Sequence, residues 1–236
     1  MKKLLRVMMA LMIFSGAYGQ AETTEGFDKA SYTISLMKGY PTGSYKNYLK
    51  SIDDPASTFG VTMVYLVNPF KKQMRSSRLF TGGEFGYQGN KQKDIINQYG
   101  GNFYVSYSEF WLNLYVRYRP VLWSSKINPY VDVFSGPKLY NARIMENVSD
   151  EEQYKIDKMN SVALNYGAGA GIGIKASREG QAAKYIDIGI YVNGSNPVRQ
   201  MDRKSVLVNS AAEVYFEKKV VVPNQFQVKV GFTGFL

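Results

Sequence analysis

The sequence predicts an all-β fold, an eight-stranded antiparallel transmembrane β-barrel, on three observations. Apolar residues alternate with polar or small ones over strand-length runs. The run 110–122 is the clearest, with Phe110, Leu112, Leu114, Val116 and Tyr118 on one face and Asn113, Tyr115, Arg117 and Arg119 on the other. The connections between such runs alternate short and long, as periplasmic turns and extracellular loops do. The composition, with 19 Tyr, 13 Phe, 2 Trp and 22 Gly in 236 residues, suits sheets that meet wet interfaces. A barrel of roughly 200 to 250 residues is ordinarily one domain.

In chain order, residues 1–19 carry Lys2, Lys3 and Arg6, then the apolar run 7–14, then the small residues Ala17 and Gly19. That is the pattern of a secretory signal peptide cleaved near Gln20, and the apolar run is well short of the ~20 residues a spanning helix needs. Residues 20–236 then form a single outer-membrane barrel domain. Its expected strands are 32–40, 58–67, 79–88, 110–122, 130–140, 162–176, 185–193 and 226–236. In 162–176 the residues Val162, Leu164, Tyr166, Ala168, Ala170, Ile172 and Ile174 face outward. Asn165, Gly167, Gly169, Gly171, Gly173 and Lys175 face inward, and the glycine row leaves room for large side chains opposite. In 185–193 the pattern repeats, with Ile186, Ile188, Ile190 and Val192 against Tyr185, Asp187, Gly189, Tyr191 and Asn193.

The connections 68–78, 121–129 and 177–184 are short, whereas 41–57, 89–102, 141–160 and 194–225 are long. With both termini in the periplasm, every long connection lies outside the cell. Residues 205–217 and 220–222 are strand-like within the last connection; they extend the final hairpin above the membrane or add two strands to make ten. Tyr104, Tyr107, Tyr118, Trp123 and Tyr130 are expected near strand ends, in the aromatic girdles that meet the headgroups.

Charge and composition exclude much chemistry. The chain has no His and no Cys, which rules out His-based triads, Cys nucleophiles, thiolate metal sites, disulfides and a lipid-attachment cysteine. Its 29 basic and 19 acidic side chains give a net charge of +10, or +7 once residues 1–19 with their three bases are removed. That charge is spread along an exported chain, so no nucleic-acid partner is expected. The run 167–173 (GAGAGIG) is no phosphate loop: its third glycine is misplaced for G-x-G-x-x-G and no G-K-[ST] follows. The acids Glu146, Asp150, Glu151, Glu152 and Asp157 read as a solvated loop face, with a divalent-cation or lipopolysaccharide bridge as the minor reading. Lys71, Lys72, Arg75 and Arg78 read as a soluble periplasmic turn, and the acceptor patterns at Asn147 and Asn193 as chance matches. No catalytic, metal or cofactor residue is assigned.

The strand phase points eight charges into the lumen: Glu84, Glu109, Arg117, Arg119, Asp132, Lys138, Asp187 and Lys229. An eight-stranded barrel is wide enough only for its own side chains, so these charges are expected to pair as a structural network rather than line a path. Arg117 and Arg119 opposite Asp132 are the first place to look for such pairing. A passive, porin-like pore requires a wider barrel.

The C-terminal run Phe226, Val228, Val230, Phe232, with Phe235 and Leu236 closing the chain, resembles the last strand of Gram-negative outer-membrane proteins, where the final residue is usually aromatic. The segments 112–123 (LNLYVRYRPVLW), 128–140 (NPYVDVFSGPKLY), 164–176 (LNYGAGAGIGIKA) and 185–194 (YIDIGIYVNG) are similar to the small barrels of Bacteroidota, the group that includes the PorT-like proteins. That resemblance implies a small barrel in the bacterial outer membrane, among proteins of which a few assist type IX secretion. It also implies three kinds of partner: outer-membrane lipid and lipopolysaccharide, the barrel assembly machinery, and envelope or secretion-system proteins. Small outer-membrane barrels that are enzymes typically rely on a His, which is absent here. The reading is therefore a non-enzymatic barrel with a structural or interaction role, accessory to envelope assembly or secretion. The alternative is a secreted, soluble, lipocalin-like barrel around an apolar ligand, which needs every strand to face the other way.

Overall fold

A computed structural model of the chain describes residues 30–49, 57–69, 78–90, 93–95, 102–120, 126–147, 153–177, 184–202, 205–209 and 213–235. Residues 1–19, where a signal peptide is expected, Trp123, Leu236 and the basic turn short of Arg78 fall outside those residues.

Thirteen strands and one short helix follow one another among the described residues. They are β1 (Ala30–Thr42), α1 (Gly43–Leu49), β2 (Thr58–Val67), β3 (Leu79–Asn90), β4 (Lys93–Ile95), β5 (Asn102–Tyr118), β6 (Ile127–Asn147) and β7 (Gln153–Lys175). Then come β8 (Lys184–Ser195), β9 (Val198–Met201), β10 (Leu207–Val208), β11 (Val214–Tyr215), β12 (Lys218–Val221) and β13 (Asn224–Phe235). Eight of them close into a ring in the order β1-β2-β3-β5-β6-β7-β8-β13, with β13 returning to β1 through pairs such as Ile34 with Phe232. Every pairing in the ring is antiparallel. Closure satisfies each strand edge, which is what lets strands cross hydrocarbon at all.

The strand-like segments in the last long connection do not enter the ring. The β9 strand pairs with β12, and β10 with β11, as separate two-stranded sheets, so the barrel has eight strands and not ten. The connection expected at 141–160 is also mostly strand. Instead of ending, β6 and β7 run on as a paired ladder, from Asn141 opposite Asn160 to Asn147 opposite Gln153, with a bulge at Ile144/Met145. The β5 strand likewise begins at Asn102, eight residues before the expected start, and β4 pairs along that extension.

The facing of the ring is that of a membrane barrel. Leu114 is 80% exposed, Val162 67% and Val192 65%, while Arg117 on the inward phase of β5 is 2% exposed. In water such a surface forgoes roughly 1.5–3 kcal/mol for each large apolar side chain, a term recovered against lipid. A soluble barrel around an apolar ligand needs the reverse facing, with these side chains inside and Arg117 and Arg119 outside. Tyr32, Tyr65 and Tyr118 stand on the outer face at the termini end, and Tyr40, Phe59 and Phe226 at the other. The eight steps from Tyr32 to Tyr40 cover roughly 26 Å along the strand at about 3.3 Å each, or roughly 20 Å of height at a tilt of about 40°, which is most of the apolar band.

Three residues expected in the girdles are elsewhere. Tyr107 and Tyr130 share the inward phase of their strands and are buried, as Arg117 draws the Tyr130 ring to 4.0 Å from its guanidinium carbon. Tyr104 is buried too, at the level where β4 pairs with β5, and of the expected set Tyr118 is exposed on the outside.

Candidate functional site

The inward positions of the ring bring all eight lumen charges inside the barrel, four basic (Arg117, Arg119, Lys138, Lys229) and four acidic (Glu84, Glu109, Asp132, Asp187), so these eight sum to zero. They are arranged in three tiers. The lowest is built on Asp132. Arg117 lies directly across the β5–β6 ladder and clasps it with a two-pronged fork, Nε to Oδ1 at 2.7 Å and Nη2 to Oδ2 at 2.9 Å. Tyr115 and Tyr191 both donate their hydroxyls to Oδ2, at 2.6 and 2.8 Å.

Register explains how Tyr191 reaches so far. Asp132, Gly169 and Tyr191 form one row across β6, β7 and β8. A Cβ at Gly169 would stand 2.1 Å from Tyr191 Cδ1, so only a glycine lets the ring lie across the intervening strand. Gly171 does the same for Tyr130, whose Cζ would be 2.4 Å from a Cβ there. The glycine row is thus the floor on which the lumen aromatics lie.

Asp187 adjoins this tier. It takes Arg117 Nη1 at 3.3 Å and Thr233 Oγ1 at 2.6 Å, and Arg119 Nη2 stands 3.7 Å away. Thr233 spends its proton on Asp187, so Thr33 donates in the 2.6 Å contact between the two hydroxyls. Two acids beside two guanidiniums leave no excess charge in this buried tier.

The middle tier is Glu84. Lys229 bonds its Oε1, and Asn113 Nδ2 (2.8 Å) and Trp111 Nε1 (3.2 Å) donate to Oε2. The Lys229 ammonium also lies 4.4 Å from the centre of the Tyr191 ring, which ties this tier to the one below.

The upper tier is Glu109, and it is the most crowded. Lys138 Nζ is 2.5 Å from Oε2, Gln88 Nε2 donates to the same oxygen at 2.5 Å, and Gln225 Nε2 reaches it at 3.3 Å. The last donor comes from outside the ring, since Tyr45 of α1 gives its hydroxyl to Oε1. The helix begins at Gly43, whose φ of +56° turns the chain inward after β1.

Above Glu109 the lumen is capped. Tyr45, Tyr48 and Leu49 of α1 pack with Val105 and Tyr107 of β5, Ala142 and Ile144 of β6, Met201 of β9 and Val221 of β12 in one apolar cluster. Tyr48 donates to the Met201 carbonyl at 2.6 Å, and Ser161 of β7 donates to the Arg199 carbonyl, so β9 lies against the inner wall. A cavity of about 10 Å³, room for one water, remains between Tyr45, Glu109, Tyr140 and Met201. Among the described residues no group of three acids is placed to hold a metal ion.

The strand phase in the sequence put the eight charges and Tyr115 on one face but named no neutral partner for the carboxylates. Tyr115, Trp111, Gln88, Gln225 and Thr233 share the same inward phase, which was the available signal. Tyr45 carried no such signal, because a short helix has no strand phase to read.

No protein-family model and no curated protein matches the chain. Solved structures do. Neisserial surface protein A is 12% identical, with 88% of this chain and 97% of that one covered at a TM-score of 0.45. The attachment invasion locus protein of Yersinia pestis, in complex with the heparin analogue sucrose octasulfate, is 11% identical (88% and 95% covered, TM-score 0.41). A major outer membrane protein from Thermus thermophilus is 10% identical (88% and 99% covered, TM-score 0.46).

Proposed function

We propose that the chain is an integral outer-membrane barrel with a non-enzymatic role, a filled and capped scaffold that presents a folded extracellular end to partners. The observation that carries this is the combination of an apolar exterior with a charge-balanced, paired interior. A conducting path needs hydrated charges, whereas here each carboxylate is bonded to a cation and to neutral donors among buried side chains. The eight lumen charges act as the structural network that holds the ring to one cross-section.

Export by residues 1–19 and insertion by the barrel assembly machinery, reading the strand that ends in Phe235, complete this reading. An accessory place in envelope assembly or type IX secretion rests on the four segments similar to PorT-like barrels. The first experiment is gel mobility of the protein from purified outer membranes, boiled against unboiled, beside the soluble fraction. Membrane recovery with a heat-dependent shift is the expected result. Recovery as a soluble protein without a shift overturns the membrane assignment.

A further inference from the structure

The outer face of β5, β6 and β7 changes character abruptly, row by row, at one height. Phe110, Leu139 and Val162 form the last apolar row, each directly opposite the next across the ladders. One step up the row is Ser108, Asn141 and Asn160, and one step further it is Ser106, Arg143 and Lys158. Tyr87 and Phe110 pack at 4.8 Å between ring centres at the foot of this step. An aromatic pair beneath a polar row marks the level at which hydrocarbon gives way to headgroups.

Arg143 and Lys158 are direct cross-strand partners on the same exposed face. Like charges in that position destabilise a sheet. Lys155 adds a third exposed cation, beside Arg143 at the bulge. Among the described residues no carboxylate pairs with any of the three, and the nearest acid along the strand, Asp157, uses Oδ1 to accept the backbone N–H of Lys158 at 2.6 Å.

The side chains are nonetheless ordered toward one spot. Arg143 Nε donates to Asn141 Oδ1 at 2.6 Å, and Asn141 Nδ2 donates to Asn160 Oδ1 at 2.5 Å, a relay that engages Nε and not the two Nη groups of the guanidinium. The three cations and two amides rim a cleft of about 370 Å³ whose lower wall is Phe110 and Leu139. A cleft with an apolar foot and a cationic rim, set at the hydrocarbon boundary, has the chemistry of an amphiphile that is itself anionic at its head.

We infer that this cleft binds the phosphorylated headgroup of an outer-leaflet glycolipid, with its phosphate between Arg143 and Lys158 and its acyl chains along Leu139, Val162 and Leu164. The shared anion removes the repulsion of the opposed pair, and the Arg fork matches phosphate geometry. The inference rests on the membrane reading above.

The test uses the full chain in zwitterionic detergent micelles and native mass spectrometry, with purified lipid A as probe beside its enzymatically dephosphorylated form. The wild type is expected to retain phosphorylated lipid in preference to the dephosphorylated form. The double variant Arg143→Gln/Lys158→Gln is expected to lose at least about tenfold in apparent affinity and to bind both forms alike. Arg143→Lys should restore part of the preference, and Lys38→Gln, an outward cation on the far side of the ring, should leave it unchanged.

Equal retention by wild type and double variant overturns the inference. Displacement of lipid A by inorganic phosphate alone shows a free-anion site and overturns the lipid source. Every variant is also run boiled and unboiled: a heat-shifted, membrane-recovered protein with no phosphate preference sinks the cleft alone, whereas soluble recovery sinks the membrane reading itself.

Discussion

The lower and upper halves of β5, β6 and β7 belong to the same strands and keep the same phase, yet their polarity is opposite. In the lower half Leu114, Val133 and Ile172 face out, and Arg117 and Asp132 face in. In the upper half Ser106, Arg143 and Lys158 face out, and Val105, Tyr107, Ala142 and Ile144 are buried inside with α1 and β9. The strand geometry does not change across the boundary; the solvent does. Below it the outside is hydrocarbon and the polar groups must satisfy one another within, whereas above it water returns and the usual apolar interior reappears.

The charged interior of the lower half depends most on Asp132. Asp132→Ala strips a buried acceptor from Arg117, Tyr115 and Tyr191 together, and a loss of about 3–5 kcal/mol is expected, read as a lower urea midpoint for the unboiled gel form. If the midpoint does not move, the lower half is not held by its charges.

Next in size is a charge placed on each outer face. Leu114→Arg, toward lipid, should cost about 2–4 kcal/mol by the same assay, while Ser106→Arg, on the same face of the same strand above the boundary, should cost under about 0.5 kcal/mol. Similar losses at both sites would erase the distinction between the two halves.

A smaller effect tests how the halves are joined. Tyr45→Phe removes one donor from Glu109 but leaves Lys138 and Gln88 in place, so the ring should survive with the cap loosened by about 1.5 kcal/mol. Hydrogen exchange should then rise in α1 and β9 and stay constant in β13.

The smallest effect lies in the β10–β11 hairpin, outside the ring. Hydrogen bonds from Asn209, and then from Tyr215, hold the Glu213 carboxyl below its ordinary range. A depressed folded value means that the stabilisation is present above the unfolded carboxylate range near ~4.3 and is lost as pH falls through the folded value. The protection factor of the Glu213 amide, whose N–H is bonded to Asn209, should fall on acidification once exchange is corrected for its intrinsic pH dependence, while the protection of Tyr45 and Tyr48 holds.

Much of the lower half was legible because its period is simple. Each strand there alternates against one solvent, so the phase of Leu112, Leu114 and Val116 places Arg117 inside, and the charge of Asp132 on the next strand supplies its partner. The upper half was misread for a definite reason. On β6 the apolar positions run outward as Val131, Val133 and Leu139, then inward as Ala142 and Ile144, so the pattern slips by one residue where the membrane ends. A slip of one in a two-residue period looks like the end of a strand, and 141–160 read as a loop. The opposite-phase alternation of Tyr140, Ala142 and Ile144 was the sign that the ladder continued.

Alternation, glycine spacing and charge placement in the sequence pointed to a closed ring of eight strands with ten left open, to its two facing alternatives and to eight charges sharing one phase, because a strand's period is a local property of the chain. Which carboxylate meets which cation, how Tyr191 crosses Gly169 to reach Asp132, and how α1 and the β9–β12 hairpin seal the mouth depend on tilt, stagger and the return of a distant loop. Those are set by ring closure, which joins residues as far apart as Glu84 and Lys229, and no local pattern encodes that meeting.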